Sequence, residues 1–372
     1  MAVTVKKCES KSDILRFIKL QWKFYQGNNS WVPPLIMDRK KMLDREKNPF
    51  FEHAEVDYFI AYKNGEAVGR IAAIKNDLHN EVHKEKTGFF GFFETIDDQE
   101  VTNTLLDTVK EWLKKRGMNI MRGPASHSSN DEWGLLIDEF VDPPMILMPY
   151  NPPYYQKLLE NYGLKKSMDL LAYKLNYDVQ SNVDKIKRAA DIAQRRSNVK
   201  VRNINFKKFN EELELIKDLY NKTWQPNWGF VPLTSKEIDM VAADLKQLAV
   251  QELAMFAMID GKNVGFTLTL PDYNQIFRKM NGRLFPFGIF KLLLGRKKIN
   301  RCRVIMLGVL PEYQKKGIDA VLYKEITERG GRIGFRIGEA SWILEDNEMM
   351  VKSAQMMQGE RYKTYRVYDY AL

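Results

Sequence analysis

Cysteine is scarce in this sequence: among 372 residues only Cys8 and Cys302 occur. Two cysteines so far apart cannot form a disulfide framework, which excludes the class of small secreted proteins held together by disulfide bonds. Apolar runs of transmembrane length are also missing, so no transmembrane segment is predicted. The opening residues, 1–8, resemble a strand rather than a signal peptide. Together these absences favour a cytoplasmic location.

Nucleic-acid-binding motifs are absent too, although the net charge of +10 would suit a polyanionic partner. The basic residues are scattered among acidic ones instead of forming one basic tract, so no nucleic acid is expected as a partner. A cofactor with several phosphate groups explains the modest basic excess equally well. His79 and His83 have the spacing of two metal ligands, but no third ligand is evident and no metal site is predicted.

Apolar residues, in contrast, are plentiful: 44% of the chain is hydrophobic and 12% aromatic, enough for sizeable cores. The predicted elements occur twice in one order: strand, two helices, hairpin, strand, helix, strand, helix, strand. The two hairpins, at 57–74 and 253–270, each turn at a Gly-containing dipeptide. This repeat predicts two tandem domains, residues 1–177 and 178–372, with a linking helix at 178–194.

One segment of the second copy has no counterpart in the first. Residues 271–300 lie between the hairpin and the next strand, and the stretch 283–298 is apolar and aromatic with basic flanks. Three interpretations stay open: a loop packed on the other domain, a substrate lid, or an amphipathic arm that touches an acyl chain or a membrane surface.

The most informative stretch lies in the second copy. Val304–Leu310 is an unbroken apolar run, typical of a strand buried on both faces, and Pro311 ends it. After a basic loop, apolar residues at helical spacing predict a helix at 318–329 that ends at Gly330–Gly331. A strand, loop and helix of this kind can direct backbone N–H groups and the positive helix end toward a phosphate.

This loop resembles the acyl-CoA-binding segment of the GNAT acyltransferase superfamily, whose signature is Gln/Arg-x-x-Gly-x-Gly/Ala between a strand and a helix. The residues that match or follow the signature are Gln314, Lys315, Lys316, Gly317, Ile318, Asp319 and Ala320. Asp319 departs from the pattern, because a carboxylate beside a pyrophosphate is unfavourable unless it points away. The repeated element order is also that of the GNAT fold, so the resemblance covers nearly the whole chain.

The resemblance implies a mixed α/β (α+β) fold: two tandem GNAT-like domains, each a mixed, mostly antiparallel sheet flanked by helices. It implies that acetyl-CoA or another acyl-CoA binds the second domain, with its pantetheine arm along one core strand. The matching residues of that strand are Leu307, Gly308 and Val309. The first copy is acidic over 94–101 and lacks the glycine, so we expect that it does not bind the cofactor.

The same resemblance places the chemistry in a slot where the next strand, 336–342, diverges. Glu339 and Glu345 lie on or just after that strand and are the candidate bases, and Asn347 matches an asparagine that the family often places near the cofactor. Backbone N–H groups of the core strand would polarise the thioester carbonyl. The family's usual acid is a tyrosine, but Ala354 occupies its position here. A different group would have to substitute: Tyr323, Tyr362 or water.

Three functions follow as hypotheses. The first is an acyl-CoA-dependent N-acyltransferase, with N-acetyl transfer favoured, acting on a small-molecule or peptide amine that the sequence does not identify. The second is a degenerate tandem that only binds a ligand or partner. The third is a transferase on the same fold that uses aminoacyl-tRNA. A homo-oligomer is compatible with all three, because exposed strands of this fold often pair.

Overall fold

The computed structural model describes residues 2–177, 180–225 and 227–372, apart from the side chains of 180–183 and 185. The chain forms two compact units. Unit 1 comprises Met1–Leu170, Ile276–Leu293 and Lys363–Leu372, and unit 2 comprises Leu171–Gln275 and Leu294–Tyr362. The domain boundary predicted near residue 177 stays a prediction, since each unit is assembled from several stretches of chain.

The elements up to residue 176 supply most of unit 1. The strands are β1 (Thr4–Lys7), β2 (Ala54–Lys63), β3 (Glu66–Asn76), β4 (Thr87–Thr95), β5 (Ile120–Gly123), β6 (Ala125–Ser126), β7 (Glu132–Trp133), β8 (Leu135–Leu136) and β9 (Lys165–Asn176). The helices are α1 (Lys11–Lys19), α2 (Gln21–Phe24), α3 (Ile36–Met42), α4 (Asp77–His83), α5 (Gln99–Lys114) and α6 (Tyr154–Tyr162).

The remaining elements follow in chain order. The helices are α7 (Gln180–Ser197), α8 (Phe209–Trp224), α9 (Ser235–Leu248), α10 (Asn274–Phe277), α11 (Gly288–Gly295), α12 (Ile318–Arg332) and α13 (Glu348–Met356). The strands are β10 (Lys200–Asn203), β11 (Ala254–Ile259), β12 (Lys262–Pro271), β13 (Arg301–Val309), β14 (Ile337–Leu344) and β15 (Glu360–Ala371). No helix within the described residues has both the length and the apolar character needed to span a bilayer.

Each unit contains a mixed sheet of the same design. In unit 1, β1 to β4 pair antiparallel in sequence order, β5 joins β4 in parallel, and the last strand pairs antiparallel with β5. In unit 2, β10 to β13 pair antiparallel in order and β14 joins β13 in parallel. The sequence-based expectation of two GNAT-like domains with mixed, mostly antiparallel sheets is confirmed.

A helix that packs on the sheet forms the core of each unit. In unit 1 the apolar side of α5, including Val101, Leu105 and Val109, packs with Ile71 and Phe90 of the strands. In unit 2 the corresponding helix is α12, whose Ile318, Val321 and Leu322 pack with Val264 and Ala257. These residues lie at helical spacing in the helices and on one face of the strands, because burial of that face drives the packing.

The predicted hairpins are confirmed, and so are their turns. Asn64 and Gly65 both have positive φ angles, as do Asp260 and Gly261, the backbone conformation of a type I′ turn. One predicted helix end is wrong: α12 continues through Gly330–Gly331 to Arg332. Gly330 is buried, and a Cβ there would lie 3.2 Å from the Tyr177 ring, so packing rather than helix termination explains this glycine.

The linking helix predicted at 178–194 corresponds to α7, although positions 178 and 179 lie outside the described residues. The acidic loop predicted for the first copy needs correction. Glu94 lies in β4 and is buried, and its carboxylate accepts hydrogen bonds from Gln21, Tyr25 and Tyr155. Its burial is tolerable because these hydrogen-bond donors surround the carboxylate.

Candidate active site

The site in unit 2 begins where two parallel strands separate. Strand β13 pairs with β14 only from Arg301 to Val304, opposite Ile337 to Ala340. Both strands continue beyond these residues, β13 to Val309 and β14 to Leu344. A cavity of about 400 Å³ opens between the separated ends. The divergence implied by the resemblance is therefore present in the structure.

The cavity walls come from three parts of unit 2. One wall is β13 with the following loop and the start of α12, a second is β14 with the start of α13, and α8 with the loop after it closes a third side. The lining residues include Thr223, Trp224, Trp228, Val304, Ile305, Leu307, Gly308, Val309, Gln314, Lys315, Ile318, Asp319, Tyr323, Ala340, Ser341, Trp342, Asn347, Met349 and Met350. The lining combines apolar side chains, such as Trp224, Ile318 and Met350, with polar groups, which suits a ligand that has both hydrocarbon and polar parts.

The backbone of β13 directs hydrogen-bonding groups into this cavity. The Leu310 N–H donates to the Val264 carbonyl at 2.9 Å, so this pair belongs to the hydrogen-bonded set of the β12–β13 ladder. Backbone direction alternates along an antiparallel strand, and Leu307 and Val309 are the residues that face away from β12. Their N–H and C=O groups lie on the side from which β14 has departed.

The loop before α12 depends on a glycine. Gly317 is the N-cap of α12 with φ +76°, and a Cβ there would lie 2.8 Å from the Ala193 side chain. Both the conformation and the close approach require glycine. The first N–H groups of a helix have no partner within the helix and carry partial positive charge, so this helix start can bind an anion.

The predicted cofactor loop is only partly exposed to the cavity. Gln314, Lys315, Ile318 and Asp319 line it, whereas Lys316, Gly317 and Ala320 do not. The Lys316 ammonium lies 4.6 Å from the centre of the Tyr313 ring. Gln314 Nε2 donates to the Val309 carbonyl at 3.3 Å, which ties the loop to the strand that precedes it.

Asp319, the residue that departs from the family signature, has a local partner. The Ser353 hydroxyl donates to its Oδ2 atom at 3.3 Å. An acidic side chain in the first turn also interacts favourably with the helix dipole. This carboxylate lies in the cavity wall and will repel a phosphate that approaches it, so a cofactor phosphate would have to bind on the lysine side of the loop.

A buried charged cluster supports the base of the slot. Glu339 is fully buried and accepts hydrogen bonds from Ser341 Oγ, at 2.5 Å, and from the Tyr362 hydroxyl. Arg303 Nε lies 3.6 Å from the same carboxylate and donates to Ser341 Oγ at 2.8 Å. A buried carboxylate with a cation and two hydroxyl donors is well compensated. Of these residues only Ser341 lines the cavity.

Tyr323 of α12 also lines the cavity and is buried. Burial, with a smaller contribution from the Asp319 charge, raises the pKa of its hydroxyl above the ordinary value. A tyrosine with a raised pKa keeps its proton at neutral pH. It can therefore donate a hydrogen bond to an anion that forms inside the cavity.

The other sequence-predicted residues have different positions. Glu345 is exposed beyond the end of β14 and does not line the cavity. Asn347 lines the cavity, and its side chain accepts from the Met350 N–H at 3.2 Å as the N-cap of α13. Ala354 is buried in α13, so no hydroxyl is available at the position where the family commonly has tyrosine.

Sequence reasoning missed Arg303 and Ser341. A usable signal existed for Arg303, because it lies between Cys302 and the apolar run that begins at Val304, and a charge there requires a buried partner. That partner, Glu339, lies directly opposite on the parallel strand. The register of two strands distant in sequence was needed to pair them, and the sequence pattern does not contain it.

The fold is that of tandem GNAT proteins. A solved tandem GNAT protein from the clavulanic acid biosynthesis pathway superposes with a TM-score of 0.58 at 11% identity, over 99% of this chain and 98% of that one. The agreement extends over both halves of the chain, which confirms the superfamily resemblance at the level of fold. No protein-family model matches the chain.

Two sequence relatives define the family more closely. The "Bacterial ceramide synthase" of Caulobacter vibrioides (strain NA1000 / CB15N) is 35% identical over 377 residues, covering 98% of this chain and 96% of the relative. "Protein YghO" of Escherichia coli (strain K12) is 36% identical over 366 residues, covering 97% and 93% respectively. The chain belongs to the family of these two proteins.

Proposed function

We propose that the chain is an N-acyltransferase that moves a fatty acyl group from acyl-CoA to the amine of a long-chain amino alcohol. The observation that carries the proposal is the slot of unit 2: the backbone N–H groups of Leu307 and Val309 lie on the side from which β14 has departed, and the slot leads to the helix start behind Gly317. An acyl-CoA has parts that match these features: its amide-containing arm can pair with the strand, and its phosphates can bind at the helix start near Lys315 and Lys316.

The acceptor is inferred from the relative. Ceramide is an amide of a fatty acid and a long-chain amino alcohol, so a ceramide synthase forms an N-acyl bond, and this chain is 35% identical to a protein of that name. The apolar part of the lining supports an aliphatic substrate: Trp224, Met349 and Met350 all line the cavity, and methionine adapts to hydrocarbon chains of different shape. We therefore favour a fatty acyl group over an acetyl group.

The proposed step is direct attack by the amine on the thioester carbon. The C–N bond forms, the C–S bond breaks, and the N–H groups of Leu307 and Val309 stabilise the negative charge on the carbonyl oxygen. The amine proton passes to Ser341 Oγ while Ser341 gives its own proton to Glu339, which leaves a neutral amide. The thiolate leaves within reach of the Tyr323 hydroxyl as hydrogen-bond donor.

In this scheme Glu339 is a positioning residue and the final proton acceptor, acting through Ser341. Arg303 and Tyr362 hold its carboxylate in place. Glu345 has no role, because its side chain lies outside the cavity wall.

The test is release of free CoA from palmitoyl-CoA by the full chain, with sphinganine as acceptor and a thiol reagent as detector. We expect turnover with palmitoyl-CoA and little with acetyl-CoA. Glu339→Gln should lower kcat by about 100-fold, the lower range for loss of general base catalysis, and Glu345→Gln should not change it. Comparison of the melting temperatures separates loss of chemistry from loss of folding.

Two results would contradict the proposal. One is the absence of CoA release from every acyl-CoA tested at a saturating concentration of sphinganine, and the other is an unchanged kcat in Glu339→Gln. If palmitoyl-CoA binds by calorimetry but is never consumed, the binding-module hypothesis replaces the enzyme.

A further inference from the structure

Helix α11 and the residues on either side of it present an unusual surface. Among the described side chains, the exposed phenylalanines all lie here, at Phe285, Phe287 and Phe290, and Leu293 and Leu294 are exposed beside them. Phe287 is 74% exposed and Leu294 77%. Large apolar side chains gathered within ten residues on a surface mark a site of interaction.

Helix α11 gives these side chains a common direction. Phe287 directly precedes the helix, and Phe290 and Leu294 follow at spacings of three and four, so the three side chains lie along one helix face. Ile289 and Leu292, on the other side, are partly buried. The exposed stripe is therefore a regular feature of the helix and not a frayed loop.

The base of the segment is firmly attached within unit 1. Trp22 Nε1 donates to Asn281 Oδ1 at 2.6 Å, and the Ile36 N–H donates to the Gly282 carbonyl at 3.0 Å. Met280 is buried, and a Cβ on Gly288 would lie 2.8 Å from its terminal methyl group. These contacts hold the base of the apolar stripe in a defined place.

The charge of the segment has one sign. From residue 273 to residue 311 the sequence contains no Asp or Glu. Arg283 and Lys291 are exposed beside the stripe. The basic residues Arg296, Lys297 and Lys298 are exposed immediately after α11. An apolar stripe with a basic border matches the acyl and anionic headgroup layers of a membrane surface. A protein partner would need a dense acidic rim around an apolar groove to match it.

We propose that residues 283–298, the docking segment, attach the protein to the surface of a bilayer that contains anionic lipid. The phenylalanine and leucine side chains insert at the boundary of headgroups and acyl chains, and the basic residues contact the headgroup phosphates. The inference goes beyond the proposed acyl transfer and does not depend on it, since it is carried by exposure, helix geometry and charge alone.

The test is sedimentation of the full chain with vesicles, in the absence of any substrate. We expect binding to vesicles of phosphatidylcholine mixed with phosphatidylglycerol, and at least tenfold weaker binding to phosphatidylcholine alone. Phe287→Ser combined with Phe290→Ser should weaken binding to the mixed vesicles at least tenfold. Val141→Ser, a change at another exposed apolar side chain of unit 1, should leave binding unchanged. Lys297→Glu combined with Lys298→Glu should weaken binding and reduce its dependence on salt.

A fluorescent label gives an independent readout. Both native cysteines are buried, so Leu294→Cys introduces an accessible thiol for an environment-sensitive dye. Its emission should shift to shorter wavelength on addition of mixed vesicles, and a dye at Val141→Cys should not respond. Absence of vesicle binding by the unmodified chain would overturn the proposal. So would equal binding by the double serine variant, or a dimer in ultracentrifugation that this variant abolishes while vesicles have no effect.

Discussion

The core strands of the two units, β4 and β13, occupy the same place in the same kind of sheet but have different surroundings. The Ile96 N–H donates to the Val68 carbonyl at 3.0 Å, as the Leu310 N–H donates to Val264. Counting back from these bonds, Thr95 in unit 1 corresponds to Val309 in unit 2. Both residues direct their backbone groups away from the hairpin.

In unit 1 these groups already have partners from the protein itself. The Tyr155 hydroxyl accepts from the Thr95 N–H at 2.9 Å, and the Tyr154 hydroxyl donates to the Thr95 carbonyl at 2.8 Å. Farther back along β4, Ser126 Oγ accepts from the Phe92 N–H at 3.0 Å. In unit 2, the Val309 carbonyl accepts from Gln314 Nε2 at 3.3 Å, and the cavity lies beside Leu307 and Val309, so the difference lies in the backbone N–H groups.

The difference teaches how a binding strand can be closed without a change of fold. Side-chain hydroxyls make the hydrogen bonds that a ligand's amides would otherwise make. The buried Glu94 carboxylate accepts hydrogen bonds from the hydroxyls of Tyr25 and Tyr155 and so fixes Tyr155 beside the strand. We still predict that unit 1 binds no acyl-CoA. The physical reason for this prediction is that side chains of the protein already bond the backbone of β4, and not that an acidic loop repels the cofactor.

The largest expected effect is a difference in acid sensitivity. All of the histidines, His53, His79, His83 and His127, belong to unit 1. Burial, with smaller contributions from Arg39 and Arg45, lowers the pKa of His127 from 6.5 to about 3. Its contribution to stability is complete above pH 6.5 and is lost as the pH falls from 6.5 toward 3, because only the unfolded state takes up the proton.

Between pH 7 and pH 4 we expect the unfolding free energy of unit 1 to fall by roughly 3 kcal/mol from this group. Hydrogen exchange measured by mass spectrometry can compare peptides of β2 with peptides of β11. His127→Gln should reduce the pH dependence in unit 1 relative to the unmodified chain. Equal pH dependence of His127→Gln and the unmodified chain would contradict the prediction.

The next effect concerns the open strand. Gly317→Val should weaken acyl-CoA binding on the order of 100-fold, because a β-branched residue disfavours a positive φ and its Cβ would collide with Ala193. Isothermal calorimetry with palmitoyl-CoA measures the change. Gly331→Ala lies in the same helix, and a Cβ there meets nothing within 4 Å, so it is the matched control. An unchanged affinity of Gly317→Val for palmitoyl-CoA would contradict the assignment of acyl-CoA binding to unit 2.

A third variant tests the closed strand. Tyr155→Phe removes the acceptor of the Thr95 N–H and one donor to Glu94, and should destabilise unit 1 by about 2 kcal/mol. Urea unfolding measures the loss, and the acyl-CoA affinity of unit 2 should not change. Tyr162→Phe removes an exposed hydroxyl bonded to Asp107 and should cost far less. Similar losses in both variants would mean that the Tyr155 hydroxyl does not stabilise the filled strand.

The smallest expected effect is on the leaving group. Tyr323→Phe should lower kcat about tenfold with little change in KM, since a thiolate with an intrinsic pKa near that of cysteine, about 8.5, leaves with modest help. Steady-state kinetics with palmitoyl-CoA measures it. An effect confined to KM would instead assign Tyr323 to binding.

Much of this architecture follows from local patterns in the sequence. The Gly-containing turns after Lys63 and Ile259, the apolar spacing of α5 and α12, and Pro311 at the end of β13 all act within a few residues, so the pattern predicts them. The site depends on longer distances. The Arg303–Glu339 pair needs the register of two strands, and the closure of β4 by Tyr154 and Tyr155 needs the position of a helix some sixty residues away.

The origin of the last strand has a consequence for how the molecule is made. Tyr368 pairs with Gly123, and Asp369 forms an ion pair with Arg122 at 2.8 Å, so unit 1 includes residues synthesised long after the rest of it. Domains usually fold on the ribosome in the order of their synthesis. Here unit 1 cannot complete its sheet in that order, because one edge of β5 stays unpaired until residues 368–371 have been synthesised. Chaperone dependence should therefore be greatest for the half that emerges first.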